Sequence, residues 1–477
     1  MENKGEVNLK KIFCMMGICF LAGLSACTNP AGEVSRGTEE NFSAGITDEN
    51  VDKGNESEGL YAENSDSGEA DVQSSKTPKV LIDINGYCPD DEKTVFFVGN
   101  EEPGSFRIIN TDTREEVYKG AMIATSEQGG NGEVLLKGDF SSLKEEGSYY
   151  IEAPHIGRSY TFRIKEDHFD GVYDKLEKAV WEETARSEGV FLYRVQALSW
   201  MLNYYEYYEE KEEAALSGEM PDFLKKAEEL GENLLEEKPQ EMDQKELAFY
   251  CAAMAQLYEQ VKEYDAREAG KFLKEAENAY KLLEGRRYEE DLDEVWLFYD
   301  SAVLYKATGY TRYHNVVKNY LKQQNGRDFF EEDAEEEQLL ADEAYVHGAV
   351  AYLSTVFSVD IDLCSALMEE LADKAESIEE ERGGNAFLCA SKDQRNRLLA
   401  DRLYVVAIVE HVVVSKEYVQ TLEDGIHYIN GCNATGSSFL SEKGVLDKTK
   451  DEKGSDAVIG SAYLFVLGEI MESEAVE

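Results

Sequence analysis

Positive charge is scarce in these 477 residues: 48 Lys and Arg stand against 98 Asp and Glu, for a net charge of −50. Nucleic-acid affinity comes mostly from cations that neutralise phosphates. A surface this negative therefore excludes nucleic-acid binding, and charge-driven docking on anionic lipid, as primary functions. Proline is rare too, with only 7 residues, which leaves room for many uninterrupted helices. Of the 8 cysteines, those beyond Cys27 are Cys88, Cys251, Cys364, Cys389 and Cys432. Their number is odd and none form a Cys-x-x-Cys pair, so neither a disulfide framework nor a zinc site is suggested. Cys364 and Cys389 are the one pair whose bridging stays open. No phosphate-cradling glycine loop occurs, Ser437-Ser438 lacks the context of a nucleophile elbow, and His411 and His427 lack metal-ligand spacing to each other. No metal or cofactor is expected. At 42% hydrophobic and 11% aromatic the chain can nevertheless build a sizeable core, so wholesale disorder is excluded. Its length suits two or three domains of roughly 100–200 residues each.

Lys4, Lys10 and Lys11 precede an apolar run from Ile12 to Leu24 that ends in Leu24-Ser25-Ala26-Cys27. A basic start, a short apolar centre and small residues at a cleavage point describe a secretory signal over residues 1–26. The run is shorter than the about 20 apolar residues of a membrane span. A Cys directly after Leu-Ser-Ala resembles the bacterial lipobox, which implies a diacylated Cys27, a membrane anchor and an extracytoplasmic, cell-surface location. Residues 27–78 are rich in Gly, Ser, Asn, Asp and Glu and nearly lack large apolar side chains. Such a stretch cannot offset its ordering entropy by burial, so it is expected to be a disordered acidic tether.

Between residues 79 and 166 the hydrophobic period is near two. Val80–Ile84, Thr94–Val98, Phe106–Ile109, Val134–Leu136, Ser148–Ile151 and Tyr160–Ile164 read as short strands, separated by turns such as Asn85-Gly86 and Gly129-Gly130-Asn131-Gly132. This pattern predicts a β-sandwich. From residue 170 to 474 the period is helical: about eleven amphipathic segments, among them 247–261 and 272–283, predict an antiparallel helical array.

The stretch Leu81 to Lys93 (LIDINGYCPDDEK) resembles the opening "vNqvGY.pdd.K" of the immunoglobulin-like domain in bacterial glycoside hydrolase family 9 cellulases. Phe106–Thr113, Gly138–Tyr150 and Gly157–Ile164 resemble that domain's later segments in the same order. Downstream, Asp222–Leu235, Ala307–Tyr313 (ATGYTRY) and Tyr428–Phe439 resemble collinear parts of the family's catalytic domain. The resemblance implies an (α/α)6 barrel of six helical hairpins after the sandwich, of six-hairpin glycosidase type and reduced in size. It also implies a polysaccharide or oligosaccharide partner.

Inverting glycosidases need a carboxylate that activates water and a carboxylic acid that protonates the leaving oxygen, roughly 6.5–9.5 Å apart. The family takes its base from an Asp-Ala-Gly-Asp-Tyr motif before the second barrel helix. Here Trp181–Phe191 (WEETARSEGVF) runs straight into Leu192–Leu198, and the loop that should carry the aspartates is absent. The family's Pro-His-His-Arg substrate motif is missing after Gly444 as well. Asp456, in Ser455–Ala462, falls at the position of the family's acid Glu and is one methylene shorter. The expectation is a glycan-binding barrel with impaired or lost hydrolysis, a pseudoenzyme with Trp181, Tyr193, Trp200, Trp296 and Tyr299 as candidate sugar contacts, although a Trp or Tyr in a helical array more often serves packing. Two alternatives remain. One is an active inverting β-glucanase with Asp456 as acid and Glu182, Glu183 or Glu188 as base; the other is a structural or assembly lipoprotein.

Overall fold

The computed structural model describes residues 78–99, 103–128, 134–186, 190–208, 219–286, 294–324, 326–392, 395–440 and 455–476. The signal segment, Cys27, the tether, Glu188 and residues 441–454 lie outside the described residues.

Nine strands come first: β1 (Val80–Leu81), β2 (Thr94–Gly99), β3 (Ser105–Asn110), β4 (Glu116–Ala121), β5 (Ile123–Gln128), β6 (Val134–Asp139), β7 (Gly147–Ala153), β8 (Gly157–Arg158) and β9 (Phe162–Ile164). They form two sheets, ordered β1-β2-β6-β5 and β4-β3-β7-β8, with β9 also paired to β7. Every strand pair is antiparallel. The expected sandwich is therefore present, with three strands the sequence reading omitted: β4, β5 and β8. Of these, β4 (EVYKGA) has no buried side chain, so burial left little hydrophobic trace there.

The first sheet is apolar on both faces. Val80, Ile82, Val95, Phe97 and Leu136 point into the sandwich core. Leu81, Phe96 and Leu135 point the other way and belong to the helical core. The unbroken apolar run Val95–Val98 follows from this, because alternation disappears when both faces are covered.

Twelve α-helices follow among the described residues: α1 (His168–Thr184), α2 (Phe191–Tyr208), α3 (Asp222–Leu234), α4 (Gln244–Val261), α5 (Ala266–Arg286), α6 (Glu294–Thr308), α7 (Thr311–Gln323), α8 (Glu336–Leu353), α9 (Ile361–Gly384), α10 (Asn396–Glu410), α11 (Lys416–Ile429) and α12 (Asp456–Val476). The sequence reading omitted α1, although Phe169, Val172, Leu176 and Val180 mark its buried stripe. The even-numbered helices are buried all round or nearly so, while odd-numbered ones such as α3, α5 and α7 bury one stripe. A helix hydrophobic on every side belongs inside, and an amphipathic one belongs outside. The alternation places six helices in an inner ring and six around it, and α12 packs on α2 to close the ring. No helix among the described residues is long and apolar enough to cross a membrane. Cys364 and Cys389 are both buried as free thiols, so this pair is not bridged.

The motif at residues 83–93 joins the sandwich to the barrel. The Asp83 carboxylate accepts from the backbone of Asn85 (2.8 Å) and Gly86 (3.2 Å), then from His427 Nδ1 (2.9 Å) and Asn430 Nδ2 (3.1 Å) at the end of α11. Tyr87 Oη accepts from the Asp83 N–H at 2.9 Å. The buried Lys93 ammonium donates to the carbonyls of Cys88, Pro89 and Asp91 at 3.2, 2.6 and 2.9 Å. Phe387 holds a left-handed backbone (φ 62°) and meets Phe96 of β2 edge-on at 5.4 Å.

At Gly431 the chain passes so close to the sandwich that a Cβ would lie 2.6 Å from the Ile82 carbonyl oxygen, with φ at 133°. Gly431→Ala is therefore expected to cost about 1–3 kcal/mol of unfolding free energy. Urea titration measures this, and a loss near zero would show that the two backbones can separate freely.

Candidate functional site in the barrel

Charged residues on helices that are apolar all round carry a desolvation cost unless they are paired. In the inner ring, charged and polar residues line up along the barrel axis at helical spacing: Gln196, Ser199, Trp200 and Asn203 on α2, Glu343 and His347 on α8, Arg397, Asp401 and Tyr404 on α10. Residues i, i+4 and i+7 share one helix face, so each helix contributes a vertical row.

Nearest the N-terminal ends of these helices, Arg397 pairs with both Glu343 Oε2 and Asp401, its Nε lying 3.4 Å from Asp401 Oδ2. Glu343 also accepts from Gln196 Nε2 at 2.9 Å and from the Trp200 indole N–H at 3.0 Å. Burial raises both carboxyl pKa values, that of Asp401 well above the usual range, against the lowering pull of Arg397. One guanidinium thus sits between two carboxyls inside the protein.

One layer deeper, Ser199 Oγ donates to Gln256 Oε1 (2.7 Å), Gln256 Nε2 to Asn203 Oδ1 (2.6 Å), and the Asn203 amide lies 2.9 Å from His347 Nδ1. Burial, with Arg397 nearby, holds the His347 pKa down to about 3, so the ring is neutral and Nδ1 accepts from the amide. Asn203, Gln256, Tyr299, Lys306 and His347 border a cavity of about 10 Å³, room for a single water. At the far end Lys306 pairs with Glu206 and bonds Ser354 Oγ at 2.8 Å. Among the described residues, the group able to hold a metal is there also. His411, Glu469 and Glu472 bring their ligand atoms within 4.8 Å of one another, with Tyr208 Oη on Glu469 at 2.7 Å.

The candidate sugar contacts occupy different places. Trp200 is 0% exposed, edge-on to His347 (4.4 Å) and Tyr404 (4.5 Å), and Tyr299 Oη lies 3.2 Å from Ser199 Oγ, so both belong to the axial column. Trp296 packs near Phe249, with ring centroids 6.1 Å apart. Trp181 lies between α1 and α3, its indole donating to Glu177 at 2.9 Å and its ring meeting Phe223. Tyr193 is buried in the first turn of α2. All five side chains are buried, and Trp200 and Tyr299 have almost no exposed surface. Asp456 begins α12, half-buried, at the same end of the ring as Arg397. Glu182 and Glu183 lie at the end of α1 in ion pairs with Lys178 and Arg186.

Sequence reasoning missed Gln196, Glu343, Arg397 and Asp401. The signal available was a charge interrupting a fully apolar helix, as in LLADEAYVHGAVAYL and NRLLADRLYVVAIVE.

The sandwich buttresses a double ring of helices. Residues 75–158 match the family model of the cellulase N-terminal immunoglobulin-like domain, and residues 233–448 match that of glycosyl hydrolase family 9. The chain belongs to glycoside hydrolase family 9. Its fold resembles solved family 9 structures. A metagenome-derived endoglucanase matches at 14% identity and TM-score 0.68, over 82% of this chain and 98% of the other. A Bacteroides ovatus family 9 protein matches at 13% and 0.64, over 83% and 99%. A single-mutant thermostable endoglucanase from Alicyclobacillus acidocaldarius matches at 15% and 0.62, over 83% and 100%. No curated protein matches significantly. The six-hairpin barrel that the family resemblance implied is thus the barrel observed. Within family 9, the match at 233–448 starts after the Trp181–Leu198 segment and stops before Asp456, leaving out both stretches where base and acid are sought.

Proposed function

We propose that this protein is a surface lipoprotein, anchored through Cys27, that holds β-glucan-type polysaccharide and hydrolyses it poorly or not at all. The observation carrying this reading is the direct run from Trp181 to Leu198 without an Asp-Ala-Gly-Asp loop. A general base must reach the attacking water. Glu182 and Glu183 are engaged by neighbouring cations, and Glu343 and Asp401 are buried on either side of Arg397. That arrangement supports a structural duty for these four carboxyls. The family membership, and neighbours described as endoglucanases, support a glucan as the ligand.

Reducing-sugar release from soluble β-glucans tests the reading. Turnover is expected to fall short of a family endoglucanase by on the order of 10²–10⁴-fold, the usual worth of one acid–base group. Asp456→Asn should change the residual rate little. Efficient turnover that vanishes in Asp456→Asn would establish an active inverting glucanase instead.

A further inference from the structure

We infer that the outward face of the sheet β4-β3-β7-β8 is a second glycan surface, taking a neutral, hydroxyl-rich polysaccharide chain across its strands; this rests on the polysaccharide reading above and locates a docking face for it.

The sandwich turns its other sheet to the barrel, so among the described residues this face is the one left to solvent. Strand register aligns four charged side chains in a row across it: Lys119 opposite Arg107, Arg107 opposite Glu152, Glu152 opposite Arg158. Three strand gaps make this row roughly 14 Å long. Arg107 Nη2 and Nε hold Glu152 Oε2 at 2.8 and 3.1 Å, and Glu116 lies 4.0 Å from the same guanidinium. The Arg158 guanidinium carbon lies 3.4 Å from the centre of the Tyr150 ring, so a flat cationic plate covers an aromatic base. These side chains border an open groove of about 630 Å³, within the few-hundred to about 1,000 Å³ range of ligand sites.

Exposed ion pairs of this kind add little to stability. Their fixed geometry suits recognition: a sugar hydroxyl both donates and accepts, and the row offers cationic donors beside carboxylate acceptors. Cross-strand pairing holds them in place beforehand, which reduces the ordering cost of binding. The net charge of −50 repels polyanions and leaves a neutral polymer unaffected.

Affinity electrophoresis of the full chain through gels containing soluble β-glucan or xyloglucan tests the inference. Wild type is expected to be retarded, and the double variant Arg107→Ala/Arg158→Ala to lose at least about 5-fold in apparent affinity, with unchanged thermal melting. Gels containing polygalacturonate should retard neither. Equal retardation of wild type and variant in neutral glucan overturns the sheet surface and keeps the polysaccharide reading. Absence of any retardation overturns both. Turnover at the rate of a family endoglucanase overturns the functional reading alone.

Discussion

Arg397→Met is expected to unfold about 3–5 kcal/mol more easily than wild type, because it strands two carboxyls in the barrel interior. Glu343 and Asp401 are both buried, and Arg397 is the cation between them. Both pKa values are already raised by burial, and without the guanidinium the two groups would have to take up protons to stay inside. The variant should therefore lose more stability at pH 8 than at pH 5. Replacing all three, as Glu343→Gln, Arg397→Met and Asp401→Asn, should recover most of the loss, since a buried ion pair is costly to break and nearly neutral to replace. Urea midpoints with an unchanged slope read this directly. A single variant within about 0.5 kcal/mol of wild type, the usual scale of a surface change, would mean that the arginine does not bridge the two acids.

The second large effect concerns pH at the junction. Burial alone would depress His427, but its hydrogen bond to Asp83, with Asp91 and Asp424 also facing it, raises the pKa to about 9. An unfolded histidine titrates near 6.5. The folded state therefore binds this proton more tightly, and the resulting stability, about 3 kcal/mol, is complete below pH 6.5 and disappears as pH rises through 9. His168, 3.9 Å from the same Asp83 carboxylate, has the opposite sign. Burial lowers it to about 4, so its contribution is present above pH 6.5 and is lost as pH falls through 4. Stability at the junction should therefore peak near neutral pH. Wild type minus His427→Gln, followed by denaturation from pH 5 to 10, should shrink from a few kcal/mol to near zero above pH 9. A difference that stays flat across that range would show that His427 is uncharged in the fold.

Much of this architecture was legible because local sequence and global fold agree. The residues from Asp83 to Lys93 stand where two backbones come within contact, and each type answers a specific demand: a carboxylate facing backbone N–H groups, a glycine at φ 132°, an ammonium gathering three carbonyls. Such demands allow few substitutes, so the pattern survives. The axial column was not legible. Gln196, Glu343, Arg397 and Asp401 come from three helices far apart in the chain, and each reads singly as one polar residue interrupting an apolar helix, with no partner in view. Only the closure of the ring brings them together. The same holds for Trp200, whose indole N–H reaches Glu343 only through the closure of the ring. Strand β4 escaped for the opposite reason: its side chains are not buried, so hydrophobicity left no period to read.

The sheet that is apolar on both faces makes the two modules one cooperative body. Leu81, Phe96 and Leu135 are core residues of the helical part, although they belong to strands, and only Lys165, Glu166 and Asp167 separate β9 from α1. Severing the chain there would expose an oily wall on one fragment and its matching socket on the other. The immunoglobulin-like module is thus expected to need its barrel to keep that wall out of water. A lesion in either half is expected to loosen both.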